Sequence, residues 1–337
     1  MRKAKLLTCL LMVLTISNFL AAQIKFAGYF SFEYLKSQPE GAFPLGAFEN
    51  LNGGLAVSGP VYGRLTFLTE AIFIYGSNPV LAQAWLAFQG SKLFNFKFGL
   101  FEIPFGRFNQ SSRPYENPTV LRPLVFHFFP YRWHDLGLAW EGNYTIFYYS
   151  AYLVNGLSAD QDGYLQTAIG DINKDKAFGG RLGLRLGEGF ELGGSVYTGK
   201  YDAEATKDVQ FEGVDLIWVT PEWEIRGEYI RALYDHPFLS RKIDFDGYYL
   251  TISMLFKRLR IYFSYQDSAV PQAVFDDQKL PPLNIFLESM VSKTRKALGF
   301  KWDVANNFFF KLEYDWNKEK QTNYRDNTLS IQLGFMF

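Results

Sequence analysis

Apolar and polar residues alternate with a period of two along most of this chain. The C-terminal segment "LSIQLGFMF" has apolar residues at every second position, namely Leu329, Ile331, Leu333, Phe335 and Phe337. Successive side chains of a β-strand point to opposite faces of the sheet. The period therefore predicts strands with one apolar face rather than amphipathic helices.

The same pattern recurs often enough to predict sixteen strands. Their expected spans are 24–35, 48–58, 61–75, 81–90, 94–102, 135–142, 144–155, 177–187, 189–201, 207–219, 222–234, 243–256, 258–267, 294–304, 307–317 and 326–337. Many of them are about 10 to 13 residues long, which suits a tilted strand that crosses a membrane better than a strand of a soluble sheet.

The connections between the predicted strands alternate in length. Those after even-numbered strands are tight: "GP", "GSKL", "GN", "GEG", "TPEW", "FKR" and "VANN". Most of the others are longer and polar, at 36–47, 103–134, 156–176, 235–242, 268–293 and 318–325, while 76–80 and 202–206 are short. Short turns on one rim and longer loops on the other are typical of outer-membrane barrels, whose short rim faces the periplasm.

Backbone hydrogen bonding decides how such strands are arranged. Lipid offers no partners, so every backbone amide and carbonyl must pair within the sheet, and only a closed barrel has no free edge. We therefore predict an all-β fold over 23–337, a closed antiparallel transmembrane β-barrel of about 16 strands with apolar faces outside and polar faces toward a wet lumen. The last strand then pairs with the first.

The first 22 residues have the features of a signal peptide. Three basic residues lie within the first five, "LLTCLLMVLTISNFLAA" is the apolar core, and two alanines precede Gln23. This arrangement predicts export and cleavage. The alternative is a retained N-terminal anchor. Cys9 is the one cysteine of the chain, so the mature protein would have none, which fits an oxidising compartment in which the protein uses no disulfides.

Composition narrows the classes of function. The 34 basic and 34 acidic residues balance, so the charge gives no sign of nucleic-acid binding. Aromatic residues make up 18% of the chain, and we expect the tryptophans to form girdles at the membrane interfaces. Those in or near strands are Trp85, Trp140, Trp218, Trp223, Trp302 and Trp316. A soluble β-sandwich is the alternative, but sixteen long strands without a domain break are hard to place in one.

Signals of catalysis are few. The histidines are His127, His134 and His236, and none belongs to a recognisable nucleophile, zinc or phosphate-binding motif. We therefore predict no enzyme activity, no cofactor and no metal site. An outer-membrane enzyme stays open as an alternative, since some barrels carry a nucleophile and a base at adjacent strand ends.

The longest loop, 103–134, carries the most specific motifs. The preceding strand ends in "IPFGRFN", a Pro- and Arg-rich segment follows, and "DLG" opens the next strand. This region resembles bacterial porins, especially the phosphate-selective porin O/P-like group. The resemblance implies that the loop folds into the barrel as a constriction and that the protein is a homotrimer. The final phenylalanine resembles the C-terminal signature that the barrel-assembly machinery of Gram-negative bacteria recognises.

Charged residues of this loop and of the wall are the candidate site. The constriction set is Arg107, Arg113, Arg122 and Arg132, with Glu116 inside the loop and Asp135 just beyond it. The wall set is Arg64, Arg181, Arg185, Arg226, Arg258, Arg260, Glu224, Glu228 and Glu313. Arginines in a narrow passage attract anions, so we expect a modest anion preference. The alternative is that they pair with wall carboxylates and brace the loop. No dense basic ladder like that of the phosphate-selective group can be traced.

These features predict an outer-membrane porin, a passive diffusion channel for small hydrophilic solutes that needs no energy source. Its partners would be membrane lipid, the solutes and the barrel-assembly machinery. Three alternatives stay open: an enzyme, a structural or adhesive barrel whose loops block the lumen, and a transporter of apolar ligands, against which the polar lumen argues.

Overall fold

The structure, a computed structural model, describes residues 24–74, 79–130, 132–159, 165–167, 170–171, 173–235, 240, 242–269, 292–320 and 325–337. The predicted signal peptide, 1–22, lies outside these residues and stays a prediction. Parts of the predicted loops 76–80, 156–176, 235–242, 268–293 and 318–325 also lie outside them.

The described strands follow the predicted order. They are β1 Lys25–Ser37, β2 Ala47–Tyr62, β3 Leu65–Ile74, β4 Val80–Gln89, β5 Asn95–Glu102, β6 His134–Tyr144, β7 Phe147–Val154, β8 Leu157–Ala159, β9 Leu165–Thr167, β10 Ala177–Leu186, β11 Phe190–Lys200, β12 Asp208–Val219, β13 Trp223–Asp235, β14 Lys242–Phe256, β15 Leu259–Ala269, β16 Lys293–Ala305, β17 Phe308–Glu319 and β18 Thr328–Met336. Two short 3-10 helices, Asn109–Ser111 and Leu124–Phe128, lie between β5 and β6. Within the described residues, no helix is long and apolar enough to cross a membrane.

All of these strands except β8 and β9 form one closed antiparallel barrel of sixteen strands. The predicted fold class is therefore confirmed. β8 and β9 pair only with each other, in a small hairpin within the connection from β7 to β10. The sequence did not predict this hairpin, because three residues per strand are too few to show a period of two.

The barrel closes through the C-terminus, as the sequence predicted. β18 pairs with β1, and Glu33 lies opposite Gln332 in that pair. Beyond the strand, the Phe337 backbone N–H donates to the Gly28 carbonyl at 2.9 Å, and the Gly28 N–H donates to the Phe337 carbonyl at 3.0 Å. The terminal residue is thus fixed by backbone pairing, which removes the last free edge of the sheet.

The predicted alternation decides which face of a strand meets lipid. In β17, Phe308 and Trp316 are exposed on the outside, while Lys311, Glu313 and Asp315 are buried toward the interior. The tryptophans exposed on the outside, as the sequence predicted, are Trp140, Trp218, Trp223, Trp302 and Trp316. Trp85 was expected among them, but it packs against the buried core cluster and its Nε1 donates to Gln83 at 3.1 Å, which corrects the prediction. The apolar outer surface and the polar inner residues of β17 therefore agree with the prediction.

The polarity of the two faces is reversed in the upper parts of β12, β13 and β14, near the rim that carries the long loops. Here Phe211 and Phe245 are buried inside, whereas Glu212 and the Arg231–Asp244 ion pair are exposed on the outside. The expectation that the lumen is uniformly polar was therefore wrong. Apolar side chains turn inward here because they have a partner inside the barrel, the segment that joins β5 to β6.

The predicted turn "GP" at 59–60 was also wrong. β2 continues through Pro60 to Tyr62, and its register against β3 shifts between these two residues. Pro60 still lies opposite Thr66 and Val61 is skipped in the register, so the proline lies directly beside a bulge, one of the few places where a strand tolerates it. The turn lies at 63–64 instead, where Gly63 has a φ of +55°, which glycine adopts without a steric penalty.

Candidate functional site

The segment 103–133, between β5 and β6, crosses the inside of the barrel. The Gly106 N–H donates to Ser195 Oγ on β11 at 3.0 Å. The N–H groups of Val120 and Leu121 donate to the Glu313 carboxylate on β17 at 3.1 and 2.9 Å. β11 and β17 are not neighbours in the barrel, so a segment bonded to both must span the lumen.

One side of this segment packs into an aromatic cluster. Phe129 lies 4.6 Å from Phe211, and Trp133 lies 4.7 Å from Tyr197, measured between ring centroids. Phe126 stacks on Phe108 at 4.5 Å. These rings are buried, and paired rings gain about 0.5–1.5 kcal/mol beyond the burial of their area. This side of the lumen, along β11 to β14, is therefore filled and dry.

Wall side chains satisfy the backbone of the segment where it has no regular structure. Glu228 accepts hydrogen bonds from the Phe108 N–H and from the Tyr249 hydroxyl, and Gln266 accepts one from the Leu124 N–H at 3.1 Å. Irregular backbone inside a barrel needs such partners, because an unpaired buried amide is costly. The predicted wall residues Glu228 and Glu313 therefore anchor the segment.

Both ends of the segment are fixed by a buried charge cluster. Arg132 Nη2 lies 2.9 Å from Glu70 and 2.5 Å from Glu102, and Arg113 Nη2 lies 2.7 Å from Glu70. Burial opposes the charge on Arg132, but Glu102 and Glu70 outweigh it, so the pKa of Arg132 lies above its usual value. Arg132 also has a φ of +48°, a strained conformation for a residue with a Cβ, which these contacts hold in place.

The other predicted constriction residues have different environments. Arg107 pairs with Glu191 at 2.7 Å. Arg122 donates to the carbonyls of Phe129 and Pro130, at 3.4 and 3.1 Å. Glu116 lies 3.6 Å from Arg113, and burial raises its pKa although Arg113 opposes this shift.

Asp135 does not join the constriction set, which corrects the prediction. It is buried in β6, where it accepts hydrogen bonds from the backbone N–H groups of Leu136 and Gly156. A carboxylate in this position satisfies the backbone after β7, and its neighbours are the tyrosines Tyr152 and Tyr197 rather than the arginines. Asp135 was predicted to belong to the constriction because it directly follows the loop 103–134, but in the structure it is part of β6 and lies apart from the arginines.

Two of the predicted wall arginines are not on the wall. Arg64 lies in the β2–β3 turn, where it donates to the Gly90 carbonyl at 2.7 Å, and Arg258 lies in the β14–β15 turn, where it donates to the Val304 carbonyl at 3.1 Å. Both predictions failed because the preceding strands end one or two residues away from these positions, and the side chains stabilise the turns of the short rim.

The remaining wall arginines face inward as ion pairs. Arg181 bonds to Asp215 and lies 3.3 Å from Glu191, and Arg185 lies 2.9 Å from Glu191. Lower on the wall, Arg226 and Arg260 share the Glu224 carboxylate at 2.5 and 3.0 Å. Most of the predicted cationic field is therefore neutralised by partners within the barrel.

Register reveals a basic row that the sequence did not. Arg260 on β15 is directly opposite Lys301 on β16, which is directly opposite Lys311 on β17. Like charges in such positions are normally destabilising. Lys311 is fully buried and donates to the Pro114 and Thr119 carbonyls at 2.6 and 3.0 Å. Only the pairing of three separate strands brings these residues together, so no local motif could have shown the row.

Free space lies along the other side of the segment. One cavity of about 400 Å³ is lined by residues that include Glu33, Asn52 and Gln332. A second, of about 520 Å³, opens beside Gly28 and Phe337 at the short rim. Tyr29 lines the second cavity, and its hydroxyl donates to Asn52 at 3.2 Å. Tyr29 packs edge-on against Tyr115 at 5.6 Å, and both rings line the second cavity. Because the Tyr29 hydroxyl also reaches Asn52 of the first cavity, we call this ring pair, at the boundary of the two cavities, the septum.

The histidines provide no catalytic arrangement in the described part of the chain. His134 is buried, and its Nδ1 lies 2.7 Å from the Arg132 carbonyl. The His127 side chain and His236 lie outside the description. Within the described ranges, no three His, Cys, Asp or Glu side chains lie close enough together to hold a metal ion.

Comparison with known sequences does not show the family of this chain. No protein-family profile matches the chain. An uncharacterized protein of Aquifex aeolicus (strain VF5) is 28% identical over 156 residues, which cover 42% of this chain. The match spans 36% of that relative, well under two thirds of its length.

Comparison with solved structures identifies the fold. OmpF of Salmonella typhi matches with a TM-score of 0.68 at 9% identity, over 93% of this chain and 97% of OmpF. The anion-selective porin from Comamonas acidovorans matches with a TM-score of 0.66 at 10% identity, over 93% and 98% of the two chains. OmpT of Vibrio cholerae, folded in vitro and in a trimer form, matches with a TM-score of 0.62 at 11% identity, over 93% and 99%.

Together these observations define the structural class of the protein. The chain has the fold of the sixteen-stranded porin barrels, and a closed barrel with an apolar outer face is a protein of the bacterial outer membrane, as the sequence predicted. At this level of identity, the likeness describes the fold alone. The more specific resemblance to the phosphate-selective group stays a prediction.

Proposed function

We propose that the protein is a porin, a passive diffusion channel for small hydrophilic solutes. The observation that carries this proposal is the pair of cavities beside the segment 103–133, each of which holds charged side chains, Glu33 and Lys311 in the first and Glu70 and Arg113 in the second. Solutes would pass along β1, β2 and β18, while the aromatic cluster closes the side along β11 to β14. Width and hydrogen-bonding groups at the septum would set selectivity.

A modest anion preference is part of the proposal, but the loop arginines contribute little to it. Arg107, Arg113 and Arg132 are each bonded to carboxylates, which favours the bracing role considered for them. The basic row is the better source of positive field, since Arg226 and Arg260 share one carboxylate. Lys301, beside Arg260, pairs with Asp303 at 3.2 Å and adds little to this field.

The remaining partners follow from the porin fold. The outer face would meet membrane lipid, and the C-terminal strand would be recognised by the barrel-assembly machinery. A homotrimer is our expectation because the Vibrio cholerae protein of the same fold has a trimer form. The proposed transport requires no enzyme activity and no cofactor.

Planar-bilayer recording of the purified full-length protein tests the proposal. We expect stepwise single-channel currents and, in a salt gradient, a reversal potential with the sign of weak anion selectivity. A cation-selective reversal potential would refute the anion preference alone.

The second candidate is a structural barrel with a blocked lumen, which the extensive bonding of 103–133 favours. Removal of 107–129 provides the matched variant, because both ends of the segment stay in place. Current steps only after this deletion would identify the segment as a plug and would contradict the channel proposal. Steps in both proteins, larger in the variant, would support the channel.

A further inference from the structure

We propose that the 400 Å³ cavity is a binding site for an uncharged, polyhydroxylated solute of the sugar class. This inference rests on the proposed channel function and specifies what the channel takes. The site lies at the seam where the first and last strands close the barrel, and its central group is the Glu33 carboxylate.

Glu33 is held in a fixed orientation by two amides from neighbouring strands. Gln332 Nε2 on β18 donates to Glu33 Oε1 at 2.6 Å, and Asn50 Nδ2 on β2 donates to Glu33 Oε2 at 2.7 Å. All three residues line the cavity. A carboxylate has about four lone-pair sites, and these two amides occupy one on each oxygen, which leaves acceptor capacity for a ligand.

A β-bulge places Asn50 in this position. The pairing of β1 with β2 shifts register between Ser31 and Glu33, and Asn50 has a φ of +51°. Asparagine tolerates this conformation better than most residues, and bulges often redirect a side chain beside a functional site. The backbone therefore departs from regular pairing at the residue that supports Glu33.

Two residues that line the cavity each carry a buried polar atom with no hydrogen-bond partner within the described residues. The two atoms are Oε1 of Gln332, whose side chain is 3% exposed, and Oγ of Ser112 in the segment 103–133. Buried polar atoms are normally paired, so each needs an explanation. Gln332 Oε1 is an acceptor, as are the unoccupied lone pairs of the ionised Glu33 carboxylate, which favours a ligand that is rich in O–H donors.

The charges around the cavity argue against an ionic ligand. Three cationic side chains line the cavity, and each already donates to protein groups. Lys311 donates to the Pro114 and Thr119 carbonyls, Arg132 to Glu70 and Glu102, and Arg122 to the Phe129 and Pro130 carbonyls, so an anion would find these donors engaged. A cation would lie beside these same positive groups. Among the described residues, the groups that donate to Glu33 are the neutral amides of Asn50 and Gln332, so its remaining lone pairs can accept from hydroxyl groups. A ligand with neutral hydroxyl groups fits this cavity better than an anion or a cation. The volume of about 400 Å³ is within the usual range of small-molecule sites.

Three probes with the same carbon skeleton separate these possibilities. Glucose is neutral, gluconate is an anion and glucosamine is a cation. Titration calorimetry of the detergent-purified full-length protein should show saturable binding of glucose, and glucose should also block the single-channel current in a saturable way. We expect much weaker binding of gluconate and glucosamine. Gluconate or glucosamine binding at least as tight as glucose would overturn the proposal, as would no saturable glucose binding.

Two substitutions locate the site. Ser112→Ala removes one hydroxyl, and Gln332→Leu removes the amide whose Oε1 has no described partner and whose Nε2 orients Glu33. Each should raise the dissociation constant of glucose roughly three- to tenfold. Ser112 lies outside the barrel strands, so its variant tests the site even if Gln332→Leu fails to fold. Gln89→Leu makes the same chemical change at an exposed position of β4 outside both cavities and should bind glucose as the unaltered protein does.

The two proposals fail separately. Current steps without glucose binding would refute the sugar site and leave the channel. Glucose binding without current steps would refute the channel and leave the site. Unchanged glucose affinity in both Gln332→Leu and Ser112→Ala would show that glucose binds elsewhere.

Discussion

The two sides of the lumen hold the same segment in opposite ways. Along β11 to β14, rings such as Phe129 and Phe211 pack at van der Waals distance. Along β1 to β3, Arg113 and Arg132 bond to carboxylates of the wall. Apolar packing excludes water and leaves no space, whereas polar attachment leaves cavities beside it. Charge in this lumen therefore serves first as attachment, and both described cavities lie on the polar side.

The largest expected effect comes from removing the central charge of the polar attachment. Arg132→Met removes the most buried cation of the cluster and leaves Glu70 and Glu102 with Arg113 as their remaining basic partner, at 2.7 and 3.4 Å. Breaking a buried ion pair from one side costs about 3–5 kcal/mol. We expect the free energy of unfolding in denaturant to fall by this amount, and the amides of 103–133 to exchange faster with solvent.

Arg231→Met provides the control for this change. Arg231 pairs with Asp244 on the exposed outer surface, and such pairs contribute little. Its unfolding curve should match that of the unaltered protein. Equal effects of the two substitutions would show that the buried charge cluster does not hold the segment.

A substitution on the aromatic side of the lumen should lower the free energy of unfolding slightly less than Arg132→Met does. Phe129→Ala removes a ring that contacts Phe105, Phe126, Trp133 and Phe211. Such truncations cost about 3 kcal/mol where the surroundings relax only partly. The same denaturant measurement checks this value. Phe178→Ala, on the exposed outer face of β10, is the control and should change the free energy of unfolding far less.

A smaller change should appear in transport rather than in stability. Tyr115→Ala removes one ring of the septum and leaves the Tyr115 carbonyl that accepts from Lys301 at 2.8 Å. Single-channel conductance should increase because the two cavities join. Tyr144→Ala, at an exposed position on the short rim, should leave conductance unchanged. An unchanged conductance in Tyr115→Ala would place the passage elsewhere.

The smallest expected effect is a pH dependence of the free energy of unfolding that arises from Glu116. Burial raises its pKa in the folded protein, so its contribution to stability is fully present below the unfolded pKa and is lost as the pH rises through the folded pKa. Relative to Glu116→Gln, the unaltered protein should therefore gain stability as the pH falls through the acid range. Parallel denaturant curves at several pH values measure this difference.

Asp202 provides a control, because its contribution to stability should change with pH in the opposite direction. Burial would raise its pKa, but hydrogen bonds from Lys207 and Thr206 outweigh this and lower it. Its contribution is present above the unfolded pKa and lost as the pH falls through the folded pKa. Asp202→Asn should therefore be less stable at neutral pH, and the difference should shrink in acid. The same trend in both variants would contradict the assignment at Glu116.

The fold was predictable from the sequence because it depends on a local period. Strands such as β17 alternate over their whole length, and the closing role of β18 follows from the need to pair every backbone group. The contents of the lumen were not predictable in the same way. Phe211 and Asp215 lie on the same inner face of β12, one apolar and one charged, because the aromatic cluster fills the lumen beside Phe211.

The candidate site was predictable only in part. The sequence indicated the segment 103–134 and its arginines, but not their partners, because Glu70 and Glu102 are brought to Arg132 by strands that are distant along the chain. Lys311 and Gln332 were missed because each is a single polar residue in a regular strand. The bulge at Asn50 has no sequence signal beyond an asparagine.

The reversed faces of β12 to β14 also set how deep the barrel sits. Arg231 and Asp244 cannot lie against hydrocarbon, because a charge there costs several kcal/mol. Tyr229 and Tyr248, paired just below them on the outer face, are suited to the headgroup level. The upper boundary of the bilayer core is thus fixed within two residues along β13, and the wall above it stands in water as a collar around the channel mouth.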